Sequence, residues 1–165
     1  MKDQIFGLRL VLVKSLGNLS IMIKINLISE PTPRALDAIN SLLPQLSKSA
    51  KLLNAEEFAV LISTSSSLLF FAEEEDCVLG MLSLVIFRIP TGLRAWVEDV
   101  VVDEKARGKG VGKALSEHAL KEAFRLGVTT IDLTSRPSRI AANQLYQRVG
   151  FAKRDTNVYR FSHAS

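Results

Sequence analysis

Apolar and polar positions follow two different periodicities along this chain, and together they predict ten elements. Runs of β-branched and apolar residues predict strands at 21–28, 68–72, 78–87, 94–102, 129–134 and 157–161. Apolar residues that recur every three or four positions predict helices at 33–46, 54–62, 110–126 and 138–149. The predicted order is therefore β-α-α-β-β-β-α-β-α-β.

Capping residues mark the ends of several of these helices. Asn54 is followed three residues later by Glu57, the signature of a capping box at a helix start. Ser138 is placed to cap the last helix, which Gly150 would close. Gly127 ends the preceding helix in the same way. These signals give the helices definite bounds.

The connections between strands predict the fold class. An acidic turn at 73–76 joins two strands closely enough for an antiparallel pair. The strand at 94–102, the helix at 110–126 and the strand at 129–134 form a crossover that requires a parallel pair. We therefore expect an α/β protein with a mixed, mostly antiparallel central sheet flanked by helices.

Length and composition fit one domain over residues 21–165. The chain has 165 residues, of which 47% are hydrophobic, enough for a sizeable core. Residues 1–20 are expected to be an N-terminal extension, either disordered or supplying one extra strand. The apolar run at 5–13 contains Arg9 and is followed by no small-residue cleavage site, so we do not predict a secretory signal.

Net charge and cysteine content indicate which cellular compartment and which kinds of partner we expect. The net charge of +4 arises from mixed signs, which argues against a nucleic-acid-binding arm. No apolar run reaches the about 20 residues that span a membrane. Cys77 is the only cysteine in the sequence, so an intramolecular disulfide is impossible and a reducing compartment is favoured. We expect a cytoplasmic protein with neither a nucleic-acid nor a membrane partner.

A glycine-rich segment, residues 107–113, stands between the strand at 94–102 and the next helix. Glycines alternate here with basic residues, in the sequence Arg-Gly-Lys-Gly-Val-Gly-Lys. Glycine allows backbone N–H groups to approach a ligand closely, and a helix start carries N–H donors with partial positive charge. The segment therefore predicts an anion site suited to a phosphate or pyrophosphate.

Two familiar phosphate loops do not fit this segment. A P-loop needs a serine or threonine after Gly112-Lys113, where Ala114 stands, and a glycine at position 107, where arginine stands. A dinucleotide loop needs a third glycine at position 113, which is lysine. Asp132 lies at the distance of a ribose-binding acid, but the chain has too few βαβ units for a doubly wound sheet.

A third pattern fits both this segment and a second one. Arg107-x-x-Gly110-x-Gly112 resembles the acetyl-coenzyme A pyrophosphate loop of the GNAT family of N-acetyltransferases. Asn143, Tyr146 and Gly150-Phe151 are similar to that family's C-terminal helix motif, Asn-x-x-Tyr-x-x-x-Gly-Phe. The resemblance covers about residues 22–161, and the two motifs occur in the family's order.

The resemblance implies which residues bind acetyl-CoA, the acyl donor. Backbone N–H groups of the loop would bind the pyrophosphate, the strand end would contact the pantetheine arm and the thioester carbonyl, and the asparagine would contact the pantetheine amide. The implied residues are Val100, Val101, Val102, Arg107, Gly108, Lys109, Gly110, Val111, Gly112, Lys113, Asn143 and Tyr146. No metal is implied, and the two histidines and one cysteine offer no ligand spacing.

The resemblance also implies the catalytic residues. Tyr146 would protonate the leaving thiolate as general acid, and Glu98 would accept the proton of the amine directly or through a water. Asp99 or a water alone stays open as the base. Because side chains alternate along a strand, we expect Glu98 and Asp99 to lie on opposite faces. Trp96 would then share the face of Glu98.

The function expected from this resemblance is transfer of acetyl from acetyl-CoA to a primary amine by direct attack. We expect a small-molecule acceptor. The enzymatic alternative is a protein lysine or N-terminus, and the non-enzymatic alternative is a CoA-binding regulatory module. Sheet edges and C-terminal strands leave room for a homodimer.

Overall fold

The computed structural model describes residues 9–13 and 21–163. The chain divides into two units, one that ends at Thr134 and one that begins at Ser135. Among the described residues, the first unit contains the sheet and most of the helices, and the second contains one helix, α4 (Ile140–Arg148). None of these helices combines the length and the apolar character that crossing a membrane requires.

The first unit is a sheet with helices on both faces. Its strands are β1 (Arg9–Val13), β2 (Ile21–Leu27), β3 (Ser67–Glu74), β4 (Cys77–Ile89), β5 (Gly92–Val102) and β6 (Thr130–Leu133). Its α-helices are α1 (Pro33–Leu46), α2 (Ala55–Ser63) and α3 (Val111–Arg125), and a short 3₁₀ turn covers Glu104–Ala106.

The strands lie in the sheet in the order β1-β2-β3-β4-β5-β6. Each pair from β1 to β5 is antiparallel, and β6 pairs with β5 in parallel after the α3 crossover. The predicted fold class, a mixed and mostly antiparallel sheet flanked by helices, is confirmed.

Two apolar layers hold the helices on this sheet. On one face, α3 packs through Ala114, Leu115 and Ala119 in a cluster with the strand residues Phe70 and Val97. On the other face, α1 and α2 are buried in a cluster that consists of Ala35, Ile39, Leu42, Phe58, Ile62, Leu69, Phe71, Met81 and Val101. Each large side chain buried here stabilises the fold by about 1.5–3 kcal/mol.

Local signals in the sequence position several helix ends correctly. The Asn54 side chain accepts the backbone N–H of Glu57 at 2.8 Å, and the Glu57 carboxylate accepts that of Asn54 at 2.9 Å. This is the predicted capping box of α2. The helix α3 ends next to Gly127, which has a φ of 85°.

Two predicted features of the C-terminal part are wrong. No strand forms at 157–161, where Val158, Tyr159 and Phe161 are 71%, 87% and 94% exposed. A β-prone sequence remains irregular when no neighbouring strand pairs with it. The N-cap of α4 is Arg139 rather than Ser138, and no side-chain cap hydrogen bond forms.

The N-terminal extension contributes to the sheet. Of the two alternatives for residues 1–20, an extra strand is the one that the structure shows at Arg9–Val13, where β1 pairs with β2. The remainder of the extension lies outside the described residues. The single domain over residues 21–165 stays a prediction.

Candidate active site

The glycine-rich segment has the backbone shape that its sequence predicts. Gly108 and Gly110 have φ values of 78° and 79°, in the left-handed region that residues with a Cβ rarely adopt. The left-handed residue Gly110 is the N-cap of α3, so the chain turns directly from the loop into the helix. The loop conformation therefore depends on glycine at these two positions.

The start of α3 presents backbone donors. The N–H of Ala114 makes the first helical hydrogen bond, to the carbonyl of Gly110 at 3.0 Å. The N–H groups of Val111, Gly112 and Lys113 thus have no acceptor within the helix. They lie at the positive end of the helix dipole, which favours an anion.

Basic side chains surround these donors. Arg107 pairs with Glu104 at 3.5 Å, and Lys113 pairs with Glu117 at 2.6 Å. Both pairs are exposed, and exposed pairs contribute little free energy. An incoming phosphate can therefore compete for these cations at small cost.

Close packing sets the position of the loop relative to the sheet. A Cβ on Gly80 would lie 2.7 Å from the carbonyl oxygen of Val101 and 3.3 Å from a Val111 methyl. The first distance is shorter than a Cβ tolerates and the second is tight, so glycine lets β4 approach both the end of β5 and the start of α3. The N–H of Asp103 also donates to the carbonyl of Leu79 on β4 at 2.9 Å.

The pairing of β5 with β6 stops before β5 ends. Their parallel pairing ends at Val97 and Leu133, whereas β5 continues to Val102. The rest of β5 runs on past the last residue of β6. An opening at the carboxyl ends of neighbouring parallel strands is a common place for a ligand in α/β proteins.

A β-bulge lies in β5 just after the last residue that pairs with β6. Ser83 pairs with Glu98 and Met81 pairs with Val101. Leu82, between them on β4, therefore lies opposite two residues of β5, Asp99 and Val100. Asp99 has a φ of 49°, in the left-handed region. An extra residue of this kind bends the strand and reverses the alternation of faces beyond it.

The burial pattern shows this reversal directly. Before the bulge, Ala95 and Val97 lie in the α3 layer. Beyond it, Val101 lies in the layer of α1 and α2, while Val100 and Val102 pack against the α3 layer. Simple alternation would have placed Val101 with Val97. Val100, Val101 and Val102, which the family resemblance assigns to the pantetheine arm, come directly after Asp99 at this bulge.

The bulge corrects the expectation that Glu98 and Asp99 lie on opposite faces by alternation. Glu98 keeps the face of Trp96, as expected, because both precede the bulge. Asp99 occupies the irregular position and belongs to neither regular register. Asp99 is exposed at the surface, and partial desolvation of its carboxyl raises the pKa above its usual value. A carboxylate with a raised pKa is a stronger base.

The second unit brings together the residues of the C-terminal motif. Asn143 and Tyr146 lie one turn apart on α4. The Asn143 Nδ2 donates to the carbonyl of Arg136 at 2.9 Å, which fixes the amide. The Tyr146 ring contacts Phe151 edge to face at 5.9 Å between centroids. The backbone N–H of Phe151 donates to the carbonyl of Tyr146 at 2.9 Å.

The predicted site residues thus form two groups. Glu98, the three valines at 100–102 and the loop at 107–113 all belong to the first unit, where Val100 and Val102 pack against the cluster that contains Val111. Asn143 and Tyr146 come together in the second. Across residues 9–13 and 21–163, no cluster of three or more His, Cys, Asp or Glu side chains is arranged to hold a metal ion.

Sequence reasoning missed two residues that support the loop. Gly80 stands in an ordinary apolar strand pattern, and only its contact with β5 shows why glycine is needed. Gln45 on α1 donates to the Asp103 side chain, 58 residues away, at 3.0 Å. The sequence carries one signal for Asp103: it precedes a short polar turn that its side chain caps, as aspartate commonly does.

Comparison with known proteins identifies the class to which this fold and loop belong. The acetyltransferase (GNAT) family matches residues 36–151, well over half of the chain. The protein belongs to this family. The resemblance seen in the two motifs is therefore confirmed.

Individual relatives differ in the substrates that their names state. Mycothiol acetyltransferase of Renibacterium salmoninarum is 32% identical over 104 residues, 61% of this chain and 31% of that protein. The [ribosomal protein bS18]-alanine N-acetyltransferase of Escherichia coli K12 is 40% identical over 53 residues, 32% of this chain and 36% of that protein. The chain thus spans about a third of the length of these curated relatives.

Solved structures share the fold over most of their length. A putative acetyltransferase from Agrobacterium tumefaciens C58 has a TM-score of 0.75 and 24% identity, covering 83% of this chain and 99% of that one. The aminoglycoside acetyltransferase meta-AAC0020, from an uncultured soil sample, has a TM-score of 0.78 and 16% identity, covering 87% and 97%. At these identities the likeness concerns the fold.

Proposed function

We propose that this protein transfers acetyl from acetyl-CoA to a primary amine by direct attack of the amine on the thioester. The observation that carries the proposal is the glycine loop opening α3 beside the bulged end of β5. The loop supplies donors for a pyrophosphate, and the separated strand end supplies backbone for an extended arm. Membership of the acetyltransferase (GNAT) family supports acetyl-CoA as the donor.

The donor-binding groups follow from this arrangement. The N–H groups of residues 107–113 bind the pyrophosphate, with the basic side chains of the loop around them. The backbone of Val100, Val101 and Val102 contacts the pantetheine arm, and Asn143 contacts its amide. The shape of the loop fits such a ligand because its two left-handed glycines carry no side chain.

The reaction forms one bond and breaks one. The amine nitrogen attacks the thioester carbonyl carbon, a C–N bond forms, and the C–S bond breaks as the tetrahedral intermediate collapses. A backbone N–H within residues 100–102 stabilises the oxyanion. Glu98 accepts the proton lost by the amine, with Asp99 as the alternative base, and Tyr146 protonates the thiolate.

The amine that accepts the acetyl group binds on the face of β5 that carries Arg94, Trp96 and Glu98. This face is opposite to Ala95 and Val97, which are buried in the α3 layer. Trp96 is only half-buried. The Arg94 Nε is buried with no hydrogen-bond partner among the described residues. Buried donors are normally hydrogen-bonded, so a polar group of the amine substrate would pair with this atom once the Arg94 side chain moves to expose it.

The preferred acceptor is a small amine, with a protein lysine or N-terminus as the second candidate. The name of the E. coli relative, which acts on an alanine of a ribosomal protein, favours the second candidate. The names of the mycothiol and aminoglycoside acetyltransferases favour small molecules.

Release of free thiol from acetyl-CoA tests the proposal. Purified protein is supplied with acetyl-CoA and, in separate reactions, with amino acids, polyamines, amino sugars, a lysine peptide and a peptide with N-terminal alanine. Thiol release that depends on one class of amine supports enzymatic transfer and names the acceptor. Binding of acetyl-CoA without turnover on any amine contradicts it and favours a regulatory module.

Matched variants assign the base. Glu98→Gln and Asp99→Asn each replace a carboxylate by an amide of the same shape. The base is the residue whose replacement lowers kcat/KM by about 10²–10⁴ and removes the acidic limb of the pH profile. Normal rates in both variants would leave a water as the acceptor of the proton.

A further inference from the structure

One side chain joins the end of α1 to the turn that precedes the glycine loop. The Gln45 Nε2 donates to Asp103 Oδ2 at 3.0 Å, and its Oε1 accepts the backbone N–H of Glu104 at 3.0 Å. The Nε2 also donates to the carbonyl of Ser41, one turn earlier on α1, at 3.2 Å. Both ends of the amide are therefore engaged, and its orientation is fixed by its partners.

Asp103 is held from three directions. Its Oδ1 accepts the backbone N–H of Lys105 at 2.9 Å, and its own N–H donates to Leu79 on β4 at 2.9 Å. Gln45 supplies the third contact. Hydrogen bonds from the Gln45 side chain and from the Lys105 N–H lower the pKa of Asp103. The carboxylate is therefore the form that this cluster binds.

The helix that carries Gln45 is itself firmly packed. Leu42, one turn before Gln45, is 1% exposed and lies in the same cluster as Val101, which is 5% exposed and lies two residues before Asp103. At the other end of α1, Arg34 pairs with Glu73 at 3.0 Å. Gln45 thus links a rigid helix to the turn at 103–106.

We propose that Gln45 is a positioning residue for acetyl-CoA: it fixes the turn from which the N–H groups of residues 107–113 are presented to the pyrophosphate. The proposal rests on the proposed function, since it assigns the same loop to the same ligand. Gln45 acts through its hydrogen bonds with Asp103 and Glu104.

Exchanging the hydrogen-bond donor and acceptor between positions 45 and 103 tests the contact between Gln45 and Asp103. Gln45→Ala removes both hydrogen bonds to the turn. Gln45→Glu keeps the acceptor for the Glu104 N–H but places a second carboxylate against Asp103. The double variant Gln45→Glu/Asp103→Asn restores the pair with its direction reversed, because the new amide at position 103 donates to the new carboxylate at position 45. The oxygen of that new amide still accepts the N–H of Lys105.

A matched control is available on the same helix. Asn40 also holds a loop by two amide hydrogen bonds, both to the backbone of Leu53 at 2.9 Å. Leu53 belongs to the connection between α1 and α2, away from the glycine loop in the sequence. Asn40→Ala therefore loosens α1 to a similar extent without touching residues 103–113.

The dissociation constant of acetyl-CoA, measured by calorimetry, is the first readout. We expect Gln45→Ala to weaken binding about tenfold, the effect of losing two ordinary hydrogen bonds. Gln45→Glu should weaken it further and recover as the pH is lowered, whereas the double variant should return to within about threefold of wild type. Asn40→Ala should bind like wild type, and kcat at saturating acetyl-CoA should change little in the Gln45 variants.

Hydrogen exchange of the ligand-free chain is the second readout. Gln45→Ala should speed exchange of the Glu104 and Lys105 amides, and Asn40→Ala should not. Wild-type affinity in every Gln45 variant, or a double variant no better than Gln45→Glu, overturns the proposal. If wild type fails to bind acetyl-CoA, the proposed function is overturned instead. In that case hydrogen exchange still tests Gln45: unchanged exchange of the Glu104 and Lys105 amides in Gln45→Ala would overturn the positioning of the turn as well.

Discussion

At the scale of single residues, the proposed site contains two kinds of residue: glycines that determine the backbone conformation and side chains that exchange protons. Gly108, Gly110 and Gly80 belong to the first kind, because their value lies in the missing side chain. Tyr146, Glu98 and Asp99 belong to the second kind in the proposed mechanism. Substitutions of the two kinds should therefore affect different measured quantities.

Tyr146→Phe should lower kcat without weakening acetyl-CoA binding. The variant keeps the ring that contacts Phe151 and loses only the hydroxyl. If that hydroxyl protonates the thiolate, kcat should fall by about 10²–10⁴. Steady-state kinetics and calorimetry measure the two effects. Phe151→Leu is the control, since it disturbs the ring contact and keeps the hydroxyl; a normal kcat in Tyr146→Phe would remove Tyr146 from the acid role.

Asp99→Asn should stabilise the protein at neutral pH. Partial desolvation raises the pKa of Asp99 in the folded chain, so folding favours the protonated form, and this contribution is lost as the pH rises through the folded pKa. Because the residue is exposed, solvent screening keeps the effect small. Asparagine does not ionise and accepts a left-handed φ, which here is 49°. The variant should thus unfold at a higher temperature than wild type at pH 7.

The difference should shrink as the pH falls toward the usual pKa of aspartate, about 3.9. Thermal unfolding from about pH 4 to about pH 8 measures it. Asp99→Ala is the matched control: it cannot ionise either, but the left-handed backbone costs it roughly 1–2 kcal/mol. An equal melting temperature of wild type and Asp99→Asn across this range would show that ionisation of Asp99 does not oppose folding.

At the scale of elements, the bulge in β5 connects the core to the site. It moves Val101 into the layer of α1 and α2 and leaves Val100 and Val102 against the layer of α3. The bulge thus reverses which face of β5 meets each layer, just after the last residue that pairs with β6. The close approach of β4 at Gly80 holds this bent segment against the start of α3.

Gly80→Ala should weaken acetyl-CoA binding and lower stability together. The added methyl would lie 2.7 Å from the Val101 carbonyl oxygen, so the backbone of β5 must move. Overpacking of this kind costs about 1–3 kcal/mol. Gly92→Ala is the control, since a Cβ there meets nothing within 4 Å and the strain of its φ of 135° lies at the far end of β5. Unchanged acetyl-CoA affinity in Gly80→Ala would show that this contact does not set the loop.

At the scale of the whole molecule, features encoded locally could be predicted and features that depend on distant pairing could not. The capping box of Asn54 and Glu57 and the start of α3 at the glycine loop are each encoded within a few residues, and the structure shows both. The bulge depends on how β5 aligns with β4, and the Gln45–Asp103 contact joins residues 58 positions apart. Neither leaves a periodic pattern in the sequence.

The predicted strand at 157–161 is wrong for a related reason: β-propensity does not supply a neighbouring strand with which the segment can pair. It contains the β-prone residues Val158, Tyr159 and Phe161, yet these are 71%, 87% and 94% exposed. Propensity is realised only where a neighbouring strand and an apolar layer receive the segment. The extra strand β1 is the opposite case, because β2 provides an edge with which it pairs.

The measurement that tests the central claim most directly is calorimetric titration of the protein with acetyl-CoA, with NAD as the comparison and Gly112→Val as the variant. We predict one-to-one binding of acetyl-CoA, no binding of NAD, and a sharp loss of acetyl-CoA affinity in Gly112→Val, whose side chain would block the approach to the backbone donors. Absence of acetyl-CoA binding to wild type, or equal affinity in Gly112→Val, would contradict the assignment of the glycine loop to the pyrophosphate.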